Sequence, residues 1–234
     1  MRLASAGSRA GAPTEGMSSE ADLHSLVLAL DYRVDDVERT WSLIRDNQSP
    51  LVSLGARHAV LYTSTLEPDR VLVTIGLRHR ASIRELLRSP AVFEWFDRTG
   101  VNDLPAIFAG EVLEKINLDG SQADSAAGRT AAGVIVGAVS TVADPADLMT
   151  RVHSGLERFG DAGVRKIWVY RAVDDGREVM TLLEIDSAAS ARRWIDCPDT
   201  AAEWMSSVGL DGYPRPFVGS LAATIDLMND ETTR

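Results

Sequence analysis

Cysteine is almost absent from this sequence: its 234 residues include one, Cys197. A single thiol cannot close an internal disulfide and has no second cysteine with which to share a metal, so neither a disulfide scaffold nor a Cys-rich metal site can be drawn. The chain suits a reducing compartment, and a cytoplasmic location is expected. Long apolar runs are missing too; none approaches the roughly 18 residues that a membrane span needs, so no membrane partner is expected. Positive charge is scarce. Lys and Arg number 24 against 34 Asp and Glu, giving a formal net charge of −10 and a pI near 4.9. Such a surface repels phosphate backbones, and the short run Arg78-His79-Arg80 does not reverse it, so nucleic acid is not an expected partner. There is no Walker loop, no GxGxxG and no metal-spaced cluster of His, Cys and carboxylates.

What is present is an ordinary globular balance, 45% hydrophobic and 25% charged residues, at a length that suits one large or two small domains. Residues 1–22 are rich in Gly, Ser, Ala and Pro and read as disordered. They carry basic residues but no continuous apolar stretch of the signal-peptide kind. Met17 opens the more protein-like run MSSEADLHSLVLALDY, and translation is expected to start there.

The strongest signal is an internal repeat. Displaced by 108 residues, GARHAVLYTS from Gly55 falls on GVRKIWVYRA from Gly163, matching Arg57 to Arg165 and Tyr62 to Tyr170. Ser82, Arg84 and Pro90 meet Ser190, Arg192 and Pro198 at the same offset. One inserted residue shifts the offset to 109, and Glu94-Trp95, Gly100, Phe108-x-Gly110 and Ile116-x-Leu118 then meet Glu203-Trp204, Gly209, Phe217-x-Gly219 and Ile225-x-Leu227. The copies span 23–118 and 133–229, joined by the small polar linker 119–132 and followed by a tail, 230–234.

Each copy reads as β-α-β-β-α-β, the split-βαβ unit. In the first, LVLALDY is a strand, Asp35 or Asp36 caps a helix with Val37, Trp41 and Ile44 on one stripe, and HAVLYT and VLVTIGL are strands joined by a turn at LEPDR. A helix with Ile83, Leu86 and Leu87 inward restarts at Pro90 and packs through Phe93 and Phe96, and AIFAGEVLEKINL closes the unit. In the second copy Asp144 caps a helix that begins at Pro145, with Leu148, Val152 and Leu156 as its stripe. KIWVYR, VMTLLEI, a helix broken at Pro198 and PFVGSLAATIDL follow.

Both halves resemble the dimeric α+β barrel (ferredoxin-like) superfamily, and the second resembles its antibiotic-biosynthesis-monooxygenase branch. The residues that carry the resemblance run from Gly163: VYR, a turn, LLEID, SAASARRW, the Pro198 restart and the closing Gly209. It implies two sheets meeting bare face to bare face around a cleft, here within one chain. The expectation is therefore an α+β fold, two tandem repeats forming an intramolecular pseudo-dimeric barrel, and a monomer in solution, with a homodimer as the alternative.

Strand alternation puts His58, Val60 and Tyr62 on one face of the second strand and Lys166, Trp168 and Tyr170 on its counterpart, while Ala59, Leu61, Ile167 and Val169 face the helices. Glu184, in an otherwise apolar strand, joins the cleft set. Glu184 and Tyr170 are the candidate catalytic residues, a carboxylate beside aromatic rings being able to act as a general base. His58, Tyr62, Lys166 and Trp168 are the candidate ligand contacts. The alternative for Glu184 is a strand-end carboxylate bonded to Lys166 or an Arg. Gly76, Val60 and His58 stand where the second copy has Glu184, Trp168 and Lys166, so a cleft site would be asymmetric. Trp41, Trp95 and Trp204 read as core. Cys197 reads as a packed residue, since no partner can be named that would make it a nucleophile. Of the histidines, His24, His79 and His153 fall outside the cleft, and His58 alone could ligate haem iron there. Haem peroxidases with a duplicated ferredoxin-like chain bear GxxDG; Gly209-Leu210-Asp211-Gly212 is one residue short of it and in the wrong half. The reading that results is a small-molecule-binding barrel, a cofactor-independent monooxygenase or isomerase of an apolar or aromatic metabolite. A non-catalytic structural or ligand-binding member is the alternative, and a haem-binding protein the second alternative.

Overall fold

The computed structural model describes residues 26–46, 48–53, 55–78, 83, 85, 87–90, 94, 97–98, 105–118, 133–196 and 216–227. Its strands are β1 (Leu26–Arg33), β2 (Ala56–Ser64), β3 (Arg70–Leu77), β4 (Ala106–Asn117), β5 (Val134–Thr141), β6 (Val164–Ala172), β7 (Glu178–Ile185) and β8 (Phe217–Asp226). They close into one barrel in the order β1-β3-β2-β8-β5-β7-β6-β4, and every neighbouring pair is antiparallel. A closed sheet has no unpaired edge to offer another chain. The described helices are α1 (Val37–Asp46), α2 (Gln48–Ser53), α3 (Pro145–Ser154), α4 (Leu156–Asp161) and α5 (Ala188–Asp196). The expectations for Met17, the linker, His24, His79, Leu86, Phe93, Trp95, Phe96, Cys197, Pro198, Trp204, Gly209 and Gly212 lie outside the described residues.

The repeat is written into the backbone hydrogen bonds. Gly55 and Gly163 both adopt positive φ, 83° and 87°, a region open to glycine and strained for residues with a Cβ. Each turns the chain into the second strand of its copy, and each carbonyl then accepts a matching amide: Arg78 N–H at 3.1 Å in one copy, Asp186 N–H at 2.9 Å in the other. The caps correspond as well. Asp36 Oδ1 accepts from Arg39 N–H at 3.0 Å and Asp144 Oδ1 from Ala146 N–H at 2.8 Å, which settles the choice between Asp35 and Asp36. One expectation needs correcting. The first crossover of each copy is two short helices, not one. In the second copy Gly155 ends α3 by donating back to Arg151 and Val152 carbonyls, so Leu156 opens α4 instead of finishing a single stripe.

Side chains on the outer face of the barrel form two apolar layers under the helices. The first centres on Leu28, Tyr32, Ile44, Leu61, Val73 and Ile83, with Trp41 packed on it. The second centres on Val136, Leu148, Val152, Ile167, Val169 and Trp194. The last strand of each copy crosses over: Ala223, Ile225 and Leu227 join the first layer, while Leu113, Ile116 and Leu118 join the second. A bulge in each last strand makes this work. The register slips between Val112 and Glu114 on β4 and correspondingly between Leu221 and Ala223 on β8, and one extra residue reverses which side chains face outward. Neither copy therefore completes its helix-side core alone. A fully buried Leu or Ile contributes about 1.5–3 kcal/mol, so the exchanged arms are a substantial part of what holds the halves together.

Candidate functional site

The inner face of the barrel is set by the same alternation. Val27, Ala29, Leu72, Phe108, Ile135, Tyr170, Ala172, Met180, Leu182 and Phe217 form one buried cluster there, with Tyr62, Val112, Val139 and Trp168 packed beside it. Large and small residues interlock. A Cβ on Gly110 would lie 2.4 Å from the Phe108 ring, and one on Gly219 2.5 Å from the Phe217 ring, so each Phe-x-Gly motif folds its ring over its own glycine.

β1, β2, β5 and β6 run one way and the other four strands run back, which gives the barrel two distinct ends. One end holds Asp31 and Arg70. The guanidinium donates to both Asp31 oxygens at 2.8 and 2.7 Å and to Glu67 at 2.9 Å, and it lies 5.6 Å from the centre of the Phe217 ring. Arg33 extends the network to Asp69, at 2.9 and 2.8 Å, and to Glu67. The Asp31 hydrogen bonds raise the Arg70 pKa further. Burial pushes the Glu67 carboxyl up, but the hydrogen bonds and charges of Arg70 and Arg33 outweigh it and hold the group below its ordinary value. The second copy has Val139 and Glu178 at the positions of Asp31 and Arg70.

The opposite end is where most of the candidate residues lie. Lys166 Nζ stands 3.5 Å from Glu184 Oε2, both side chains half-buried, on directly paired positions of β6 and β7. The corresponding pair in the first copy is His58 and Gly76. Here a Cβ at residue 76 would sit 2.1 Å from His58 Cε1, so the imidazole occupies the space over the glycine. The flanking arms add Asn117 opposite Lys166 and Asp226 opposite His58. Beyond the bulges, Lys115 faces inward opposite Trp168 and Thr224 opposite Val60. Lys115, Asn117, Thr224 and Asp226 are exposed; Tyr62, Val112, Trp168 and Leu221 are half-buried. Trp168 is thus half-buried behind an exposed rim of mixed charge, while Val27 and Ile135, opposite Gly76 and Glu184, are buried; Tyr62, Val112 and Leu221 lie deeper in the barrel, at the level of Leu72 and Tyr170.

The candidates are not all brought together. Glu184 and Lys166 meet, which is the ion-pair arrangement raised as the alternative for that carboxylate. Trp168 comes next along β6 and Tyr170, buried in the inner cluster, lies four residues from Lys166, roughly 13 Å along an extended strand. Tyr62 lies across the barrel beside Leu221. His153 is outside, its ring 2.9 Å from both Glu114 oxygens, and it clips a helix of one copy to the last strand of the other. Among the described residues no group of three His, Cys, Asp or Glu is placed to hold a metal, and no helix is long and apolar enough to cross a membrane. Sequence reasoning missed Lys115 and Thr224, because simple alternation through β4 and β8 points them outward. The phase change from Phe108-x-Gly110 to Ile116-x-Leu118 was the available signal. It missed Asp31 and Arg70 too, although an acid and a base share the inward parity of two adjacent strands.

Scanned against protein-family models the chain matches none, and no curated protein matches it in sequence. Solved structures do match. An anthrone oxidase-like protein superposes with a TM-score of 0.66 at 14% identity over 88% of this chain and 94% of its own. A protein from Fusobacterium nucleatum subsp. nucleatum, named as a proposed monooxygenase, gives 0.50 at 9% identity over 87% and 94%. A Listeria monocytogenes ferredoxin-fold protein related to antibiotic biosynthesis monooxygenases gives 0.48 at 8% identity over 88% and 99%. The chain shares the fold of the anthrone oxidase-like protein, and its own eight antiparallel strands close into one α+β barrel built from two repeated halves.

Proposed function

We propose that this protein binds an apolar or aromatic small molecule in the half of the barrel that ends at Lys166 and Glu184, and acts on it without a cofactor as a monooxygenase or isomerase. Units 23–118 and 133–229 act in this reading as the two walls of one site within a monomer. The observation that carries it is the inner face at that end, where Lys166 and Glu184 stand 3.5 Å apart, half-buried, beside half-buried Trp168, with exposed Lys115 and Thr224 on the flanking arms. Apolar walls with a few convergent polar groups are what small-molecule sites are made of.

In this reading Glu184 is the general base, Lys166 and His58 steady charge that develops on the ligand, and Trp168 and Tyr62 stack on it. Tyr170 meets its far end, roughly 13 Å along the strand from Glu184. Removal of a proton from an activated carbon serves both chemistries. Returned elsewhere, the proton completes an isomerisation. Intercepted by dioxygen, the carbanion of an activated methylene gives a carbonyl and water, R2CH2 + O2 → R2CO + H2O, which balances without a cofactor. The anthrone oxidase-like protein of the same fold supports looking for such substrates first. Glu184→Gln and Tyr170→Phe are expected to lower turnover at least tenfold, with Glu184→Gln acting mainly on kcat. Unchanged binding and turnover in both variants would remove this reading. The Lys166–Glu184 ion pair favours a second one, a ligand-binding or structural protein without chemistry, in which binding survives and no turnover is found.

A further inference from the structure

The two corners of the open end are unlike. On the second copy's side the inward positions of β4 and β6 are Lys115 opposite Trp168 and Asn117 opposite Lys166, so two lysines share one face of adjacent strands with one indole. The repeat-related corner has Thr224 opposite Val60 and Asp226 opposite His58. Lys166 has Glu184 at 3.5 Å. Lys115 makes no ion pair among the described residues, so the corner carries one positive charge in excess in a chain whose formal charge is −10. Lys115 and Lys166 are diagonal neighbours, roughly 7–8 Å apart at the backbone and within reach of long side chains, so one anion on this face could meet both. Half-buried Trp168, on the same face, supplies a flat apolar surface.

From this we infer, resting on the barrel-site reading above, that the ligand is a planar aromatic anion. Its ring stacks on Trp168 and its acidic group (a carboxylate, sulfonate or phenolate) lies between Lys115 and Lys166. Lys115 is a binding residue in this arrangement. It reaches the site only because the β4 bulge turns it inward.

The test uses two probes that differ by one charge. 1-Anilinonaphthalene-8-sulfonate and neutral N-phenyl-1-naphthylamine share their ring system, and their fluorescence rises on entering an apolar site. Titrated into the full-length wild-type protein at low salt, the sulfonate is expected to bind about tenfold more tightly than the neutral amine, as one charge-assisted contact provides. Raising the salt should narrow the gap, since the contact is open to solvent. Lys115→Gln, a change at an exposed side chain that leaves the buried inner cluster untouched, is expected to abolish most of the preference and leave the neutral probe's affinity as it was. Trp168→Leu should weaken both probes. Equal wild-type affinities would overturn the anion assignment while leaving the apolar site standing. A preference that persists in both Lys115→Gln and Lys166→Met would place the anion elsewhere and overturn it as well. Failure of either probe to bind at all would sink the barrel-site reading, and this inference with it.

Discussion

The two copies share a backbone down to single hydrogen bonds, yet their inward-facing residues differ at most positions. The first copy contributes Ala29, Val60, Thr74 and Gly76, where the second has Gly137, Trp168, Leu182 and Glu184. At one end the first copy has the Asp31–Arg70 pair, and the second has Val139 and Glu178. At the other end the second has Lys166–Glu184, and the first has an imidazole folded over a glycine. The helix-side layers diverge less and are mostly apolar in both copies, although buried Thr40, Ser140 and Thr181 stand where the other copy has Leu148, Tyr32 and Val73. Packing against helices constrains the outer face alike in each half, since volume changes there cost stability. The inner face differs between the copies in size and charge, with the Asp31–Arg70 pair at one end and the Lys166–Glu184 pair at the other.

The sharpest test of how much the halves depend on one another is at the exchanged arms. Leu227→Ala removes a buried side chain from the first layer and is expected to cost roughly 2–4 kcal/mol, read as a lower midpoint of urea denaturation. Its counterpart Leu118→Ala, at a half-buried position, should cost about half of that. Equal losses would mean that the two arms contribute alike in spite of their different burial.

A smaller effect is expected inside the barrel. A Cβ on Gly219 would lie 2.5 Å from the Thr63 carbonyl oxygen and the same from the Phe217 ring, while one on Gly110 meets the Arg171 carbonyl at 2.9 Å. Backbone cannot swing aside as a side chain can, so Gly219→Ala should destabilise by about 1–3 kcal/mol and Gly110→Ala by less. A neutral Gly219→Ala would show that the inner cluster is looser than its contacts imply.

The smallest difference concerns the charged ends. Arg70→Met is expected to cost about 1–2 kcal/mol near neutral pH, because it leaves Asp31 half-buried without its bidentate donor. Lys166→Met, at a longer and more open pair, should cost less than about 1 kcal/mol. The pH dependence separates the two further. Glu67 titrates below its ordinary value when folded, so its contribution is complete above the unfolded pKa and is lost as pH falls through the folded one. The wild-type midpoint should therefore drop between about pH 5 and pH 3. Arg70→Met should flatten that limb and Lys166→Met should leave it, because the depression depends on the two arginines.

Much of this architecture is legible in the amino-acid sequence. The 108-residue offset located both copies, and matched residues such as Gly55 and Gly163 or Phe108 and Phe217 proved to occupy matched places in the barrel. Asp36 and Asp144 cap their helices as their positions suggest. Alternation along β2 and β6 placed His58, Tyr62, Lys166, Trp168 and Tyr170 on the inner face, because nothing interrupts the two-residue period after the first positions of those strands. It failed along β4 and β8. Each contains a bulge there, and a bulge reverses every side chain that follows it.

The sequence by itself determined the duplication, the βαββαβ order and the asymmetry between copies, since these rest on residue identity and on local periodicity. Tertiary structure alone decided that Glu184 lies against Lys166, that His58 fills the space over Gly76, that Lys115 turns into the barrel and that Arg70 packs over Phe217. Each of those depends on which strand lies beside which, on register, and on how much room a neighbour leaves. Such facts arise from closing the sheet and are not properties of any one segment of the chain.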